Sequence, residues 1–210
     1  MAEVDYYFTL LSPWAYIGHD AFHRAMESTG TTVNYFPLNL PSAFAASDTP
    51  VLGKRHKTRQ DYRTLELQRW AVKRGLSFNF WPDHWPFAAA TGDKMVIAMA
   101  QNGTNPSAFI REIFTGIWER QMNYAEESAL VDAAASVGLD GEALLAQAHG
   151  EEAQAVYDGT TENAIRLGIF GVPAYFYDGE YFWGQDRIEL LEDALKAGRA
   201  GYKPIYPEGA

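Results

Sequence analysis

The sequence predicts an α/β fold in which strands near both ends of the chain bracket a long helical block. Three observations carry this. An aromatic, β-branched run at the start gives way to a helix and then to a second strand. The middle of the chain is Ala-rich and helical in its periodicity. Near the end, two aromatic runs flank Asp178-Gly179, a dipeptide suited to a two-residue hairpin turn.

Val4 to Leu10 reads as the first strand, because aromatic and β-branched side chains fit a pleated surface. Ser12-Pro13 then starts a helix: serine can cap it, and proline suits a first turn whose N–H groups are unbonded anyway. The helix runs to about Ser28, with Trp14, Ile17, Gly18, Ala21, Phe22 and Ala25 as its apolar stripe. Tyr16, His19, Asp20, His23 and Glu27 fall mostly on the other side, and Gly30 ends it. Thr31 to Leu40 is a second strand, closed by Pro37 or Pro41. This β-α-β opening implies a parallel strand pair.

Helical periodicity returns from Arg59 to Arg74 and stops at Gly75. "FNFWPDHWPF" is an irregular aromatic loop. Three or four helices follow between about Asp93 and Gly150, separated by Asn-Gly, Asn-Pro and Gly-Leu-Asp-Gly breaks. Another runs from Glu151 to Leu167. The hairpin within Pro173–Trp183 and an amphipathic helix in "DRIELLEDALKAG" complete the chain. This is the element order of a thioredoxin fold with helices inserted in its middle. Residues 1–40 and 168–210 would form the thioredoxin-like part, and residues 41–167 an inserted α-helical domain.

Composition narrows the function. The formal net charge of -10 repels DNA, RNA and anionic membranes on average, so neither nucleic acid nor membrane is expected as a partner. The absence of cysteine removes disulfides, thiolate metal sites and any protein thiol nucleophile, and with them dithiol redox chemistry. Twelve Tyr, twelve Phe and six Trp exceed ordinary core filling and favour an aromatic-lined pocket. "MAEVDYYF" lacks a basic leader region and no apolar run is long enough for a membrane span, so a cytoplasmic protein is expected.

Several short stretches could carry chemistry. Ser12 stands where redox proteins place a Cys-x-x-Cys pair, at a strand-to-helix junction. It is either a capping serine or a neutral donor which, with the positive helix end, steadies an anion such as a thiolate brought by a ligand. No G-x-S-x-G elbow surrounds it. Pro173, in Gly171-Val172-Pro173, is either a trans strand-entry proline or a cis-proline facing the first helix, with outward backbone groups for an extended peptide. His19 and His23, at i, i+4, are expected on the polar helix surface rather than on a metal, so no metal site is expected. "KRHKTRQDYR", with Lys54, Arg55, Lys57, Arg59 and Arg63, is either a solvated turn or an anchor for carboxylates. "WPDHWPF" is either a self-packed loop or one wall of a substrate pocket. Gln185 and Asp186 either begin a helix or receive an ammonium group.

"DYYFTLLSPWAYIGH", "DYRTLELQRWA", "GIFGVPAYF" and "FWGQDRIELLEDAL" together resemble the 2-hydroxychromene-2-carboxylate isomerases, relatives of kappa-class glutathione transferases in the DsbA-like branch of the thioredoxin superfamily. The matches run from the first strand to the last helix. The resemblance implies that glutathione is the cofactor, with Ser12 beside its sulfur as the catalytic residue. It implies a cis Val172-Pro173 bond, with Val172 pairing to the cysteinyl part. It sets Gln185 and Asp186 at the γ-glutamyl end and Lys57 at the glycyl carboxylate. The family commonly has an Asn after the second strand; here the stretch reads "ASDTP", with Asp48 as the nearest candidate. The implied substrate is a small aromatic carboxylate of aromatic-compound catabolism, bound among Trp14, Trp81, His84 and Trp85. The implied reaction interconverts 2-hydroxychromene-2-carboxylate and trans-o-hydroxybenzylidenepyruvate. A homodimer is common among such proteins. Conjugation of electrophiles, as in kappa-class transferases, and non-catalytic ligand binding are the alternatives.

Overall fold

The computed structural model describes residues 2–207. Its sheet has the order β2-β1-β3-β4. β1 (Glu3–Phe8) pairs parallel with β2 (Thr32–Pro37) and antiparallel with β3 (Ala174–Tyr177), and β3 pairs antiparallel with β4 (Glu180–Trp183). A central strand must be apolar on both faces, and Tyr6, Tyr7 and Phe8 are all buried. Tyr6 and Phe8 stack on one face, where α1 (Pro13–Thr29) and α9 (Ile188–Ala197) supply Phe22, Ile188 and Leu191. Tyr7 points to the other, with Phe36, Ala174 and Ile169, under Ala164 of α8 (Glu151–Arg166) and Ala43 of α2 (Leu40–Ala46).

α3 (Lys57–Arg74), α4 (Ala90–Gln101), α5 (Ser107–Trp118), α6 (Glu127–Ser136) and α7 (Gly141–Ala148) fill the middle. Their core is continuous with that of the sheet: one cluster of buried side chains joins Tyr6 and Phe22 to Met95, Phe109, Phe114, Trp118 and Leu144. α3 is different. Only Leu67 and Ala71 are buried on it, so most of its surface is left for other work. Among the described residues, no helix is long and apolar enough to cross a membrane.

The Asp178-Gly179 turn forms between β3 and β4 with φ of 48° and 76°, the positive pair a two-residue hairpin turn requires. Two expectations fail. α2 occupies residues read as the end of a strand and a loop: Asn39 accepts from the Ser42 N–H as a cap, and Pro41 fits the first turn. Of the two histidines, His19 is buried and His23 is half-buried. α5 covers that side of α1, so His19 is 4% exposed, edge-on to Phe114 and 4.5 Å from the His23 ring.

Candidate active site

The strand-to-helix junction is held from below. Asp93 of α4 is fully buried, and it accepts from the Thr9 hydroxyl at 2.8 Å and the Leu10 N–H at 2.9 Å. The Ser12 N–H in turn donates to the Thr9 carbonyl at 3.1 Å. Burial pushes the Asp93 carboxyl up to about 7, against bonds from Leu10, Thr9 and Tyr157 that favour the charged form. A side wall is fixed by Trp85, whose indole N–H donates to the Leu11 carbonyl at 3.0 Å.

Ser12 caps α1: its Oγ accepts from the Ala15 N–H at 3.2 Å. Having accepted once, the hydroxyl keeps a proton to donate. Pro13 brings no N–H, so Trp14 supplies the free main-chain donor at this helix end. Cap and anion-donor readings of Ser12 are therefore compatible, since they use different parts of one hydroxyl.

Beside this junction opens a cleft of about 560 Å³. Trp14 and Val172 border it at the junction. The Val172-Pro173 bond is cis, as the resemblance implies. β3 begins pairing only at Ala174, which leaves the Val172 backbone outside the sheet ladder. The Gly184 N–H donates to the Pro173 carbonyl at 2.9 Å and ties the next segment to this loop. Gly184 has φ of 98°, and a Cβ there would lie 2.5 Å from Asp186 Oδ1, so a side chain is excluded twice over. Trp183, Gln185, Asp186 and Arg187 continue this wall. Gln185 is 2% exposed, and its side-chain oxygen accepts from Arg74 at 3.3 Å. Asp186 pairs with Arg187.

The opposite wall is α3. Arg59, Arg63, Glu66 and Trp70 follow the spacing i, i+4, i+7, i+11 and fall on one face, with Tyr62 beside them. Arg55 extends the cationic line at the N-terminal end, over the Phe44 ring and donating to the Pro50 carbonyl at 2.9 Å.

The expected site residues divide accordingly. Trp14, Val172, Gln185 and Asp186 border the cleft; Ser12, 5% exposed, and Pro173 are outside its lining and neighbour it along the chain. Lys57 and Asp48 are not in its lining. Lys57 is exposed and paired with Asp61, and Asp48 is exposed in the turn after α2. Trp81 and His84 are exposed and also outside the lining. Trp85 packs against Trp118, with the Arg63 guanidinium 5.8 Å from its ring centre. The lining residues not foreseen include Thr58, Tyr62, Glu66, Trp70 and Trp183. Arg59 and Arg63 were foreseen only as members of a basic stretch; their spacing with Glu66 and Trp70 is the signal that sorts them from Lys57.

A thioredoxin sheet carrying a helical insertion, with a helix start set beside a cis-proline loop, defines a DsbA-like protein. The chain belongs to that family: the model of the DSBA-like thioredoxin domain matches residues 3–196. Within it, the chain is similar to the 2-hydroxychromene-2-carboxylate isomerase of Sphingobium xenophagum, at 28% identity over 91% of this chain and 97% of that protein. It is also similar to glutathione S-transferase kappa 1 of Caenorhabditis elegans, at 22% identity over 93% of this chain and 92% of that one. A solved 2-hydroxychromene-2-carboxylate isomerase superposes with a TM-score of 0.79 at 27% identity, covering 93% and 95% of the two chains. The resemblance read from the motifs is thus that of the whole chain.

Proposed function

We propose that this protein is a glutathione-dependent isomerase of small aromatic carboxylates, acting on 2-hydroxychromene-2-carboxylate or a close analogue. One observation carries the reading. The helix-start donors of Ser12 and Trp14 adjoin a cis-proline loop and an arginine-walled cleft, in a chain with no thiol of its own. A site of this kind suits a ligand that brings a thiolate and carboxylates.

The residues present fit that ligand. Ser12 and the Trp14 N–H would donate to the sulfur, and helix-end donors of this kind lower a thiol pKa from its ordinary value of about 8.5. The Val172 backbone would pair with the cysteinyl unit as a short added strand. Asp186 would face the ammonium group. Arg59 and Arg55 line the cleft and would take the glycyl carboxylate. Lys57 lies outside the lining of the cleft and is not needed there. When bound, glutathione supplies a thiolate that adds reversibly to a conjugated double bond and leaves unchanged. The protein's part is to orient the bound acid among Trp14, Tyr62, Trp70 and Trp183 and to keep water from its double bond. A cytoplasmic setting suits this, since glutathione there is kept reduced.

The test is conversion of 2-hydroxychromene-2-carboxylate with and without glutathione, followed by mass analysis. Thiol-dependent conversion with no adduct supports the isomerase. Accumulating conjugate would make the protein a transferase of the kappa kind. Glutathione binding without turnover would make it a binding protein.

A further inference from the structure

Three arginines line the cleft with no carboxylate to answer them. Arg187 is matched by Asp186, and Glu66 is matched by Arg69. Among the described residues, no hydrogen bond or ion pair joins Arg55, Arg59 or Arg63 to an acid, in a chain whose net charge is -10. Arg55 has the Pro50 carbonyl and Arg59 is exposed to solvent. Arg63 has neither. It is half-buried, and burial together with Arg55 lowers its pKa to about 10. A half-buried guanidinium without a counter-charge has given up part of its hydration, and a bound anion would replace what it lost.

The placement of Arg63 is specific. Its guanidinium lies over Trp85, the ring whose N–H holds the Leu11 carbonyl one residue before Ser12. Arg55, by contrast, lies over Phe44 at the α2 end of the cleft. Arg63 is thus linked through a single side chain to the junction that carries Ser12. A planar guanidinium on an aromatic ring presents its edge, and a carboxylate accepts two parallel N–H bonds from such an edge.

We propose that Arg63 is the subsite for the carboxylate of the aromatic co-ligand, separate from the glutathione anchors, and that it makes the protein select aromatic acids over their neutral analogues. This rests on the proposed function in one respect, that the carboxylate of glutathione is taken by Arg55 and Arg59 and leaves Arg63 free. The subsite would hold the acid group while the flat remainder lies along Trp14, within reach of the Ser12 end. Nothing is transferred at Arg63; it binds and orients.

The probes are cinnamate and its neutral isostere cinnamamide, titrated calorimetrically against wild type and Arg63→Met, with glutathione titrated separately. Wild type is expected to prefer cinnamate by about ten-fold, the size of one modest charged contact. Arg63→Met should bring that preference to within about two-fold of unity and leave the glutathione Kd within about two-fold. The proposal is overturned if wild type shows no preference, if Arg63→Met keeps it, or if the loss falls on glutathione instead. If Arg63→Met does not fold by circular dichroism, Arg63→Gln is read by the same criteria. Failure of the glutathione reading looks different: wild type would not bind glutathione, whatever Arg63 does to the choice between acid and amide.

Discussion

The Thr9 hydroxyl donates to Asp93 Oδ2 at 2.8 Å, so a carboxyl on α4 holds the turn that leads into Ser12. That carboxyl is fully buried beside Thr9, Leu10 and Tyr157, and its pKa stands near 7 instead of the ordinary 3.8. The folded state therefore holds its proton more tightly than the unfolded chain. The associated stability is complete below about pH 4 and is lost as pH rises through about 7. Asp93→Asn cannot ionise but keeps an acceptor for Leu10. Relative to the variant, wild type should lose stability over that window at up to about 1.4 kcal/mol per pH unit. Urea midpoints for both proteins near pH 5 and pH 8 decide it; parallel shifts would refute the assignment.

The buried histidines give the opposite slope. Burial, and then the mutual repulsion of the pair, holds His19 down to about 3, and burial holds His23 down to about 4. Asp20 and Arg111 pair nearby at 3.0 Å, and neither His19 Nδ1 nor His23 Nε2 has a partner. Their stability contribution is complete above the ordinary value of 6.5 and is lost as pH falls toward the folded pKa values. His19→Leu should move the acid-unfolding midpoint to lower pH while changing stability little near pH 8. An unchanged acid midpoint would mean that His19 is protonated at no cost in the folded protein.

Gly18 is the contact on which the Asp186 side of the cleft rests. A Cβ there would lie 2.7 Å from Gln185 Cβ and 3.2 Å from Ile188 Cδ1. Gly18→Ala should destabilise by about 1–3 kcal/mol through overpacking and push the Gln185–Asp186 segment from α1. Glutathione affinity should fall with it. Gly159→Ala is the control: a Cβ in α8 meets nothing within 4 Å, so helix propensity should make that change neutral or stabilising. Equal effects from the two would show that the segment does not rest on α1.

The sequence made the scaffold legible because its punctuation is local. Ser12-Pro13, Gly30, Gly75, Asp178-Gly179 and Gly198 each mark an end by backbone chemistry that no distant residue alters, and each marks one here. The Ser12, Pro173 and Asp186 segments converge for the same reason: the β-α-β unit and the hairpin are adjacent in one sheet. What stayed hidden depends on tertiary cover. His19 reads as polar and exposed until α5 is known to lie over it. Trp81 and Trp85 are near neighbours in one loop, yet one is exposed and the other packs on Trp118. Asp93 looks like an ordinary first-turn acid, and only the packing of α4 under Thr9 shows otherwise.

Ser12 tests the chemistry itself. Its Oγ accepts from Ala15, so Ser12→Ala removes a cap worth about 1 kcal/mol of stability. On the proposed function the same change also removes a donor to the glutathione sulfur, and a hydrogen bond to a charged group is worth about 1.5–3 kcal/mol. The thiol of bound glutathione should then titrate about 1–2 units higher than in wild type. A bound thiolate is the form stabilised, so wild type should hold it at pH values where the variant holds the thiol. Thiolate absorbance followed against pH reads this directly, apart from any turnover. Ser12→Thr keeps both the hydroxyl and the cap, and should return the titration to within about half a unit of wild type. If Ser12→Ala loses stability but leaves the thiol titration where it was, Ser12 is a cap alone, and the Trp14 N–H and the helix end carry the anion without it.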